Sequence, residues 1–333
     1  MSSTLAPTRA AARPSRLAPR GIWWLMWRQQ RLSVLLWLIA VVAAAVVVPF
    51  LRAAMVDYID SHHIAGCAMI TLDPACQGDG IQQAVNGFRT KYTPFLQAMG
   101  LLLTALPAGL GLFAAGPLFS REYESGTWRL VLGQSVTRTQ WLRAKLASVA
   151  VPALLGSAAL MGLYRWMWAP SANFVSGVGW SGTFFGSGGP VLMATVLLAL
   201  AVGATVGALV RRVVPAMGAT FGVVLVLQYL ISEVRPYLVP SQVRMVPRSE
   251  LPNDVWGFGQ GFMTSGGKRL PYDLCDSSAD YADCLAKAGN AREFSDVHVA
   301  ADYWPLQGVE SALCLVLAAA LVGFLYWRTR TAD

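Results

Sequence analysis

Charge is scarce in this chain: 13% of its 333 residues are Asp, Glu, Lys or Arg, against roughly 25% in a soluble globular domain. That deficit argues against a soluble enzyme of ordinary type. Lysine is scarcer still, with only Lys91, Lys145, Lys268 and Lys287 among 26 basic residues. With abundant Ala and Gly, the dominance of Arg fits a GC-rich bacterial genome. Histidine numbers three, and His62 and His63 are adjacent, as in a solvated loop. No His or Cys set completes C-x-x-C type spacing, so no metal site is read. A formal charge of +8 does not point to nucleic acid, which needs a basic face on a soluble domain. Here the Arg residues flank apolar blocks.

Those blocks dominate what is present. Apolar residues make up 55% and mean hydropathy is +0.48, and a bilayer span needs about 20 apolar residues in a row. Six blocks qualify: 34–51, 95–118, 146–168, 189–210, 213–232 and 309–327. The expected class is all-α, a polytopic membrane protein of six helices within 34–327. Residues 1–19, rich in Ala, Pro, Ser and Arg, read as a disordered tail, and 328–333 as a second tail. The start lacks the charged-apolar-cleavage layout of a signal peptide, so the amino terminus is expected to stay attached. Between the fourth and fifth spans only Arg211 and Arg212 remain, which demands a tight turn.

Orientation follows from the basic residues, which accumulate on the cytoplasmic side. With both termini inside, the inner segments hold 15 basic and three acidic residues, and the outer ones 11 basic and 15 acidic. Inversion would put the positive excess outside. A multi-pass protein of the bacterial cytoplasmic membrane with both termini cytoplasmic is expected. Cysteine agrees, because disulfides persist in oxidising compartments. Cys67 and Cys76 fall in one outer loop (52–94), and Cys275 and Cys284 in the other (233–308). Either each pair closes a short disulfide loop, the reading favoured here, or the thiols are free and share loops by chance. Cys314 lies within the last span.

Two membrane-flanking stretches carry pattern. In residues 20–33 Arg20, Arg28 and Arg31 cluster on a helical projection opposite Ile22, Leu25, Met26 and Leu32, with Trp24 and Trp27 near the Arg side. Such a helix lies in the membrane plane as an amphipathic amino-terminal element, or else it extends the first span. The inner segment 119–145 (FSREYESGTWRLVLGQSVTRTQWLRAK) is more structured than a simple connection. Gly126 is expected to break the helix running through Arg121, Glu122 and Tyr123. Thr127 can cap a turn over 128–132 that ends at Gly133. Thr137 with Gln140 has capping-box spacing for the helix into the third span. Glu122 and Glu124 beside Arg121 and Arg129 are either a solvated juxtamembrane cluster or part of a docking surface.

The run Arg121, Glu122, Tyr123, Glu124, Ser125, Gly126, Thr127, followed by an apolar turn and by Ser135, Thr137, Arg138, Trp141 and Lys145, resembles the loop after the second span of bacterial ABC-2 type permeases. These are the membrane subunits of ABC exporters. The resemblance extends to the layout of nearly the whole chain, with an in-plane first helix, six spans and a large outer segment before the last. It implies a coupling helix seated in a groove of a separate ATPase subunit, with Arg121, Glu122, Glu124, Gly126, Thr127 and Arg129 at or near that contact. It also implies two permease copies working with two ATPase subunits, ATP and Mg held by the ATPase, and no cofactor on this chain. The long outer loops with their Cys pairs depart from a minimal permease and leave the cargo open.

Other residues bear on mechanism. The nearest phosphate-loop candidate, Gly261 to Arg269 (GFMTSGGKR), departs from G-x-x-x-x-G-K-[ST] at Phe262 and Arg269 and lies outside in this topology. ATP hydrolysis is therefore expected on another chain. Ion-coupled carriers place ionisable groups within their spans, and the central parts of these six have none, since Arg165 and Glu310 sit near outer ends where side chains reach water. Gly203 with Gly207 and Gly218 with Gly222 have small-x-x-x-small spacing, for packing within one subunit or against a second copy. Pro49, Pro107, Pro152 and Pro215 are assigned no role. The reading is an exporter permease for an amphipathic cargo such as an antibiotic, peptide or lipid, with membrane lipid as surroundings and no nucleic-acid partner. An ion-coupled secondary carrier and a sensory or scaffolding membrane protein are the alternatives.

Overall fold

The computed structural model describes residues 22–67, 76–127, 137–172, 174, 182–252, 255–276, 278 and 280–331. Among them six helical stretches are long and apolar enough to cross a membrane: Val34–Ser61, Asp79–Ser125, Arg138–Ser171, Pro190–Val210, Val213–Tyr237 and Ala300–Thr331. The helices are α1 (Ile22–Ser61), α2 (Asp79–Leu110) and α3 (Gly116–Ser125), joined by a π-helical turn Gly111–Ala115, then α4 (Arg138–Trp168) and the short α5 (Gly182–Ser187). There follow α6 (Pro190–Val210), α7 (Val213–Val234), the short α8 (Tyr281–Lys287) and α9 (Tyr303–Thr331). Five of the six spanning stretches extend beyond their hydrophobic blocks, Pro190–Val210 being the exception, because the hydropathy drop marks where the side chains change and not where the backbone hydrogen bonds stop.

The bundle is organised around α6. Of its most apolar stretch 78% is buried, against 6% for that of α1, so α6 is central and α1 peripheral. Its 21 residues span about 31 Å at 1.5 Å per residue, the thickness of a hydrocarbon core. Apolar residues surround its whole circumference, as a fully enclosed helix requires. Ala194, Ala199, Ala201, Gly203, Ala204, Gly207 and Ala208 are all buried, and side chains this small let neighbouring backbones approach closely. It packs against α2, α3, α4, α7 and α9.

The amino-terminal segment differs from the in-plane expectation. Residues 22–33 run without interruption into the first span as part of the 40-residue α1. No Gly or Pro occurs between Ile22 and Val48, so nothing in the chain provides the break that a turn into the membrane plane needs. The segment is an extension of the first span, held to α4 by Gln30 Nε2 donating to Ser148 Oγ at 2.9 Å.

The helices also consume most of the first expected outer loop. With α1 ending at Ser61 and α2 starting at Asp79, only 62–78 connects them. The second carries a small domain that hydropathy alone does not reveal. Strands β1 (Gln242–Arg244), β2 (Trp256–Met263), β3 (Arg269–Leu270) and β4 (Arg292–His298) form an antiparallel sheet in the order β1-β4-β2-β3. A register shift falls between Gly257 and Gly259. Phe262, Phe294 and Val297 of this sheet are buried. The negative charge of Glu293, to which Tyr272 also hydrogen-bonds, raises the Tyr272 phenol above its usual pKa. The run Gly261–Arg269 is the β2–β3 hairpin, with Gly267 at φ 80° in its turn, and not a strand-to-helix phosphate loop. His298 is buried and donates from Nε2 to Pro236 O at 2.9 Å, which fixes the sheet to the end of α7.

Candidate functional site

The described parts of segment 119–145, residues 119–127 and 137–145, lie where α3, α4, the α6–α7 turn and the last turns of α9 meet, around a cluster of Phe119, Trp141, Leu142, Ala204, Ala208 and Leu325. Local sequence sets its geometry. Gly126 has φ 71°, a left-handed conformation that Gly adopts without steric penalty, and it ends α3. Thr137 starts α4 through a complete capping box: Gln140 N donates to Thr137 Oγ1 and Thr137 N donates to Gln140 Oε1, both at 3.2 Å. The expected turn over 128–132, with Arg129, Gly133 and Ser135, lies outside the described residues.

The charged cluster of this segment divides into inward and outward parts. Glu122 and Lys145 are buried, at 5% and 1% exposure, and pair at 2.7 Å. Lys145 Nζ also donates to Leu118 O at 2.6 Å and lies 5.2 and 5.1 Å from the ring centres of Phe119 and Trp141. A buried charge persists only when paired and hydrogen-bonded, and ring faces add favourable cation contacts. Glu122 is therefore committed to a partner within the chain. The sequence signal is helical spacing: Trp141 and Lys145 are four apart, Phe119 and Glu122 three apart, which puts each pair on one face.

Glu124 is exposed, but its Oε2 accepts from Val213 N at 2.8 Å. A carboxylate there satisfies an orphan donor of α7 and complements the positive end of its dipole. The preceding Arg211 takes φ 58° and sets its guanidinium 5.5 Å from the Tyr123 ring centre. The end of α3 is thus fastened to the two-residue turn between α6 and α7. Arg121, Ser125, Gly126 and Thr127 remain exposed, with Ser125 Oγ and Thr127 Oγ1 2.9 Å apart.

Directly below this surface the π-helical turn rests on α6. A Cβ at Gly203 would lie 2.6 Å from Ala115 Cβ, and one at Gly207 would lie 2.5 Å from Gly116 O. These two glycines serve contact within the chain. Gly218 and Gly222 on α7 have nothing within 4 Å of a built Cβ, and Val214, Val226 and Tyr229 of the same helix are exposed.

At the opposite end Glu310 is only 1% exposed, contrary to its expected reach to water. Arg235, which no sequence pattern singles out, holds it through Nε at 2.7 Å and Nη2 at 2.9 Å, because α7 ends beside the start of α9. Arg165 donates to Gly188 O. Gln307, fully buried, donates to Phe185 O at 2.8 Å and accepts from Val191 N at 3.2 Å. Both disulfides are formed at this end, Cys67–Cys76 and Cys275–Cys284, while Cys314 is free and buried in α9.

A bundle of apolar helices around a buried central helix, with polar contacts concentrated at its two ends, defines a multi-pass membrane protein. The chain belongs to the ABC-2 membrane transporter related family, whose model matches residues 38–235, more than half of its length. The match runs from within α1 to the end of α7 and covers the whole 119–145 segment. No curated protein and no solved structure matches the chain. Family membership makes it an ABC-2 type permease and implies association with an ABC ATPase.

Proposed function

We propose that this chain is the permease subunit of an ATP-driven exporter, paired with a second permease copy and two ATPase subunits in the cytoplasmic membrane. The observation that carries this reading is the family match over 38–235. It is supported by the exposed Arg121, Ser125, Gly126 and Thr127, at the end of the bundle where the positive-inside distribution puts the cytoplasm. Closure of the ATPase dimer on ATP displaces this surface, and α3 transmits the movement to the helices that release an amphipathic cargo outward. ATP and Mg reside on the partner.

The docking test uses exposed positions, because Glu122 is committed to Lys145. Arg121→Glu with Thr127→Arg should reduce co-purification with the ATPase and its stimulated hydrolysis, while the permease inserts at parental levels. Parental assembly and hydrolysis by this variant would remove the dock from 119–127. Reporter fusions at Ser3 and Ala332 should both report cytoplasm, and an external signal from either would refute the orientation.

A further inference from the structure

Two hollows meet on the flank of the bundle between α1, the α2–α3 stretch and α4. The first, of about 350 Å³, is apolar and includes Leu36, Trp37, Leu106, Leu110, Phe113 and Pro152 in its wall. The second, of about 510 Å³, lies toward the 119–127 surface and is lined by Arg28, Arg31, Arg121, Glu122 and Lys145 among others. Gln30, Phe113 and Ala114 line both, so the two adjoin. The result is an amphipathic groove with its basic part at one end.

The charges do not cancel. The only carboxylate among the described lining residues is Glu122, and it already pairs with Lys145 at 2.7 Å. The guanidinium groups of Arg31 and Arg121 leave the cleft with a net positive charge, and guanidinium suits phosphate through planar, paired donors. The apolar part opens sideways, since Leu36 and Phe113 are 67% and 69% exposed. From Arg28 to Leu36 the helix rises about 12 Å, within one leaflet of a core about 30 Å thick. A soluble anion would use only the basic end, and a neutral lipid only the apolar one.

We propose that this groove binds one anionic phospholipid, its phosphate between Arg31 and Arg121 and one acyl chain along Leu36, Leu110 and Phe113. The site shares Arg121 with the proposed dock but does not depend on transport, since it requires only that the chain reside in a bilayer. It joins the first span to the 119–127 surface through a lipid, so occupancy depends on the charge of the surrounding leaflet.

The test is native mass spectrometry of the full-length, delipidated chain with phosphatidylglycerol and phosphatidylcholine of identical acyl chains. One phosphatidylglycerol per chain should be retained in preference to phosphatidylcholine. Each basic side chain near an anionic headgroup contributes about fivefold in affinity, so Arg31→Gln with Arg121→Gln should weaken retention roughly 25-fold, and Arg31→Lys with Arg121→Lys should largely preserve it. Gly109 lines the apolar part and has nothing within 4 Å of a built Cβ. Gly109→Phe should therefore fill the groove and displace the lipid without touching the charges. Arg292→Gln, at the exposed start of β4 at the other end, should change nothing. Parental retention by the Gln pair or by Gly109→Phe would overturn the site. So would equal loss in Arg292→Gln, or displacement by glycerol 3-phosphate at a concentration equal to the lipid's.

Discussion

Trp37 occupies the space that a side chain at Gly156 would need: a Cβ there would lie 1.8 Å from the indole Nε1. The same Nε1 donates to Pro152 O at 3.0 Å, so one ring both packs and hydrogen-bonds α1 against α4. Because α1 is peripheral, this contact is central to its attachment. Gly156→Ala should displace the ring and cost about 1–3 kcal/mol, as overpacking does. Thermal unfolding of the purified permease in detergent should show the loss, and Gly162→Ala, where nothing lies within 4 Å of a built Cβ, should not.

Glu122 and Lys145 make a second, sharper case. Lys145→Met alone leaves a buried carboxylate without its cation and should cost about 3–5 kcal/mol. Replacing both, Glu122→Leu with Lys145→Met, should recover most of that loss, because an apolar pair carries no desolvation penalty. A double variant no more stable than Lys145→Met would mean that the pair does not act as a unit.

The two glycine pairs should separate. Gly207→Ala puts a methyl group 2.5 Å from the Gly116 backbone oxygen, which cannot move aside as a flexible side chain would, and it should lower the melting temperature of the isolated permease. Gly218→Leu meets no atom within 4 Å of its Cβ and should leave melting unchanged. If α7 packs against a second copy, cysteine cross-linking between copies should fall in the Gly218 variant alone.

Each disulfide closes a short segment, and the chain-entropy relation gives about 2–3 kcal/mol for a loop of this size. Non-reducing peptide mapping should recover the Cys67–Cys76 and Cys275–Cys284 peptides as linked pairs. Cys275→Ser with Cys284→Ser should raise protease sensitivity within 233–302 while sparing the spans. Alkylation of all four thiols in fresh membranes would contradict both bonds.

The six spans are legible in the sequence because an uninterrupted hydrophobic run of bilayer length is rarely anything but a membrane helix, and Thr137 with Gln140 and Gly126 mark helix ends through local chemistry alone. The Cys pairs are legible as spacing within loops. The sheet is not: β1 and β3 are three and two residues long, and the Gly residues of Trp256–Met263 weaken its alternation. The fate of 22–33 is not legible either, because a helical projection locates the faces of a helix and not the direction of its axis. Glu122 and Lys145 look like surface residues in the sequence because they follow and precede the hydrophobic windows, whereas their partners are fixed only once α3 and α4 pack together.

The burial of α6 orders events in time. It enters the membrane as the fourth spanning helix and is hydrophobic enough to rest there alone. Its most extensive packing is with α9, which is synthesised last, and domains emerge from their amino-terminal side first. For the interval of translating roughly a hundred intervening residues, at about 5–20 per second, the future centre of the bundle is still open to lipid on one side. Assembly completes from the carboxyl-terminal end, and a chain halted before Tyr303 leaves its central helix unclosed.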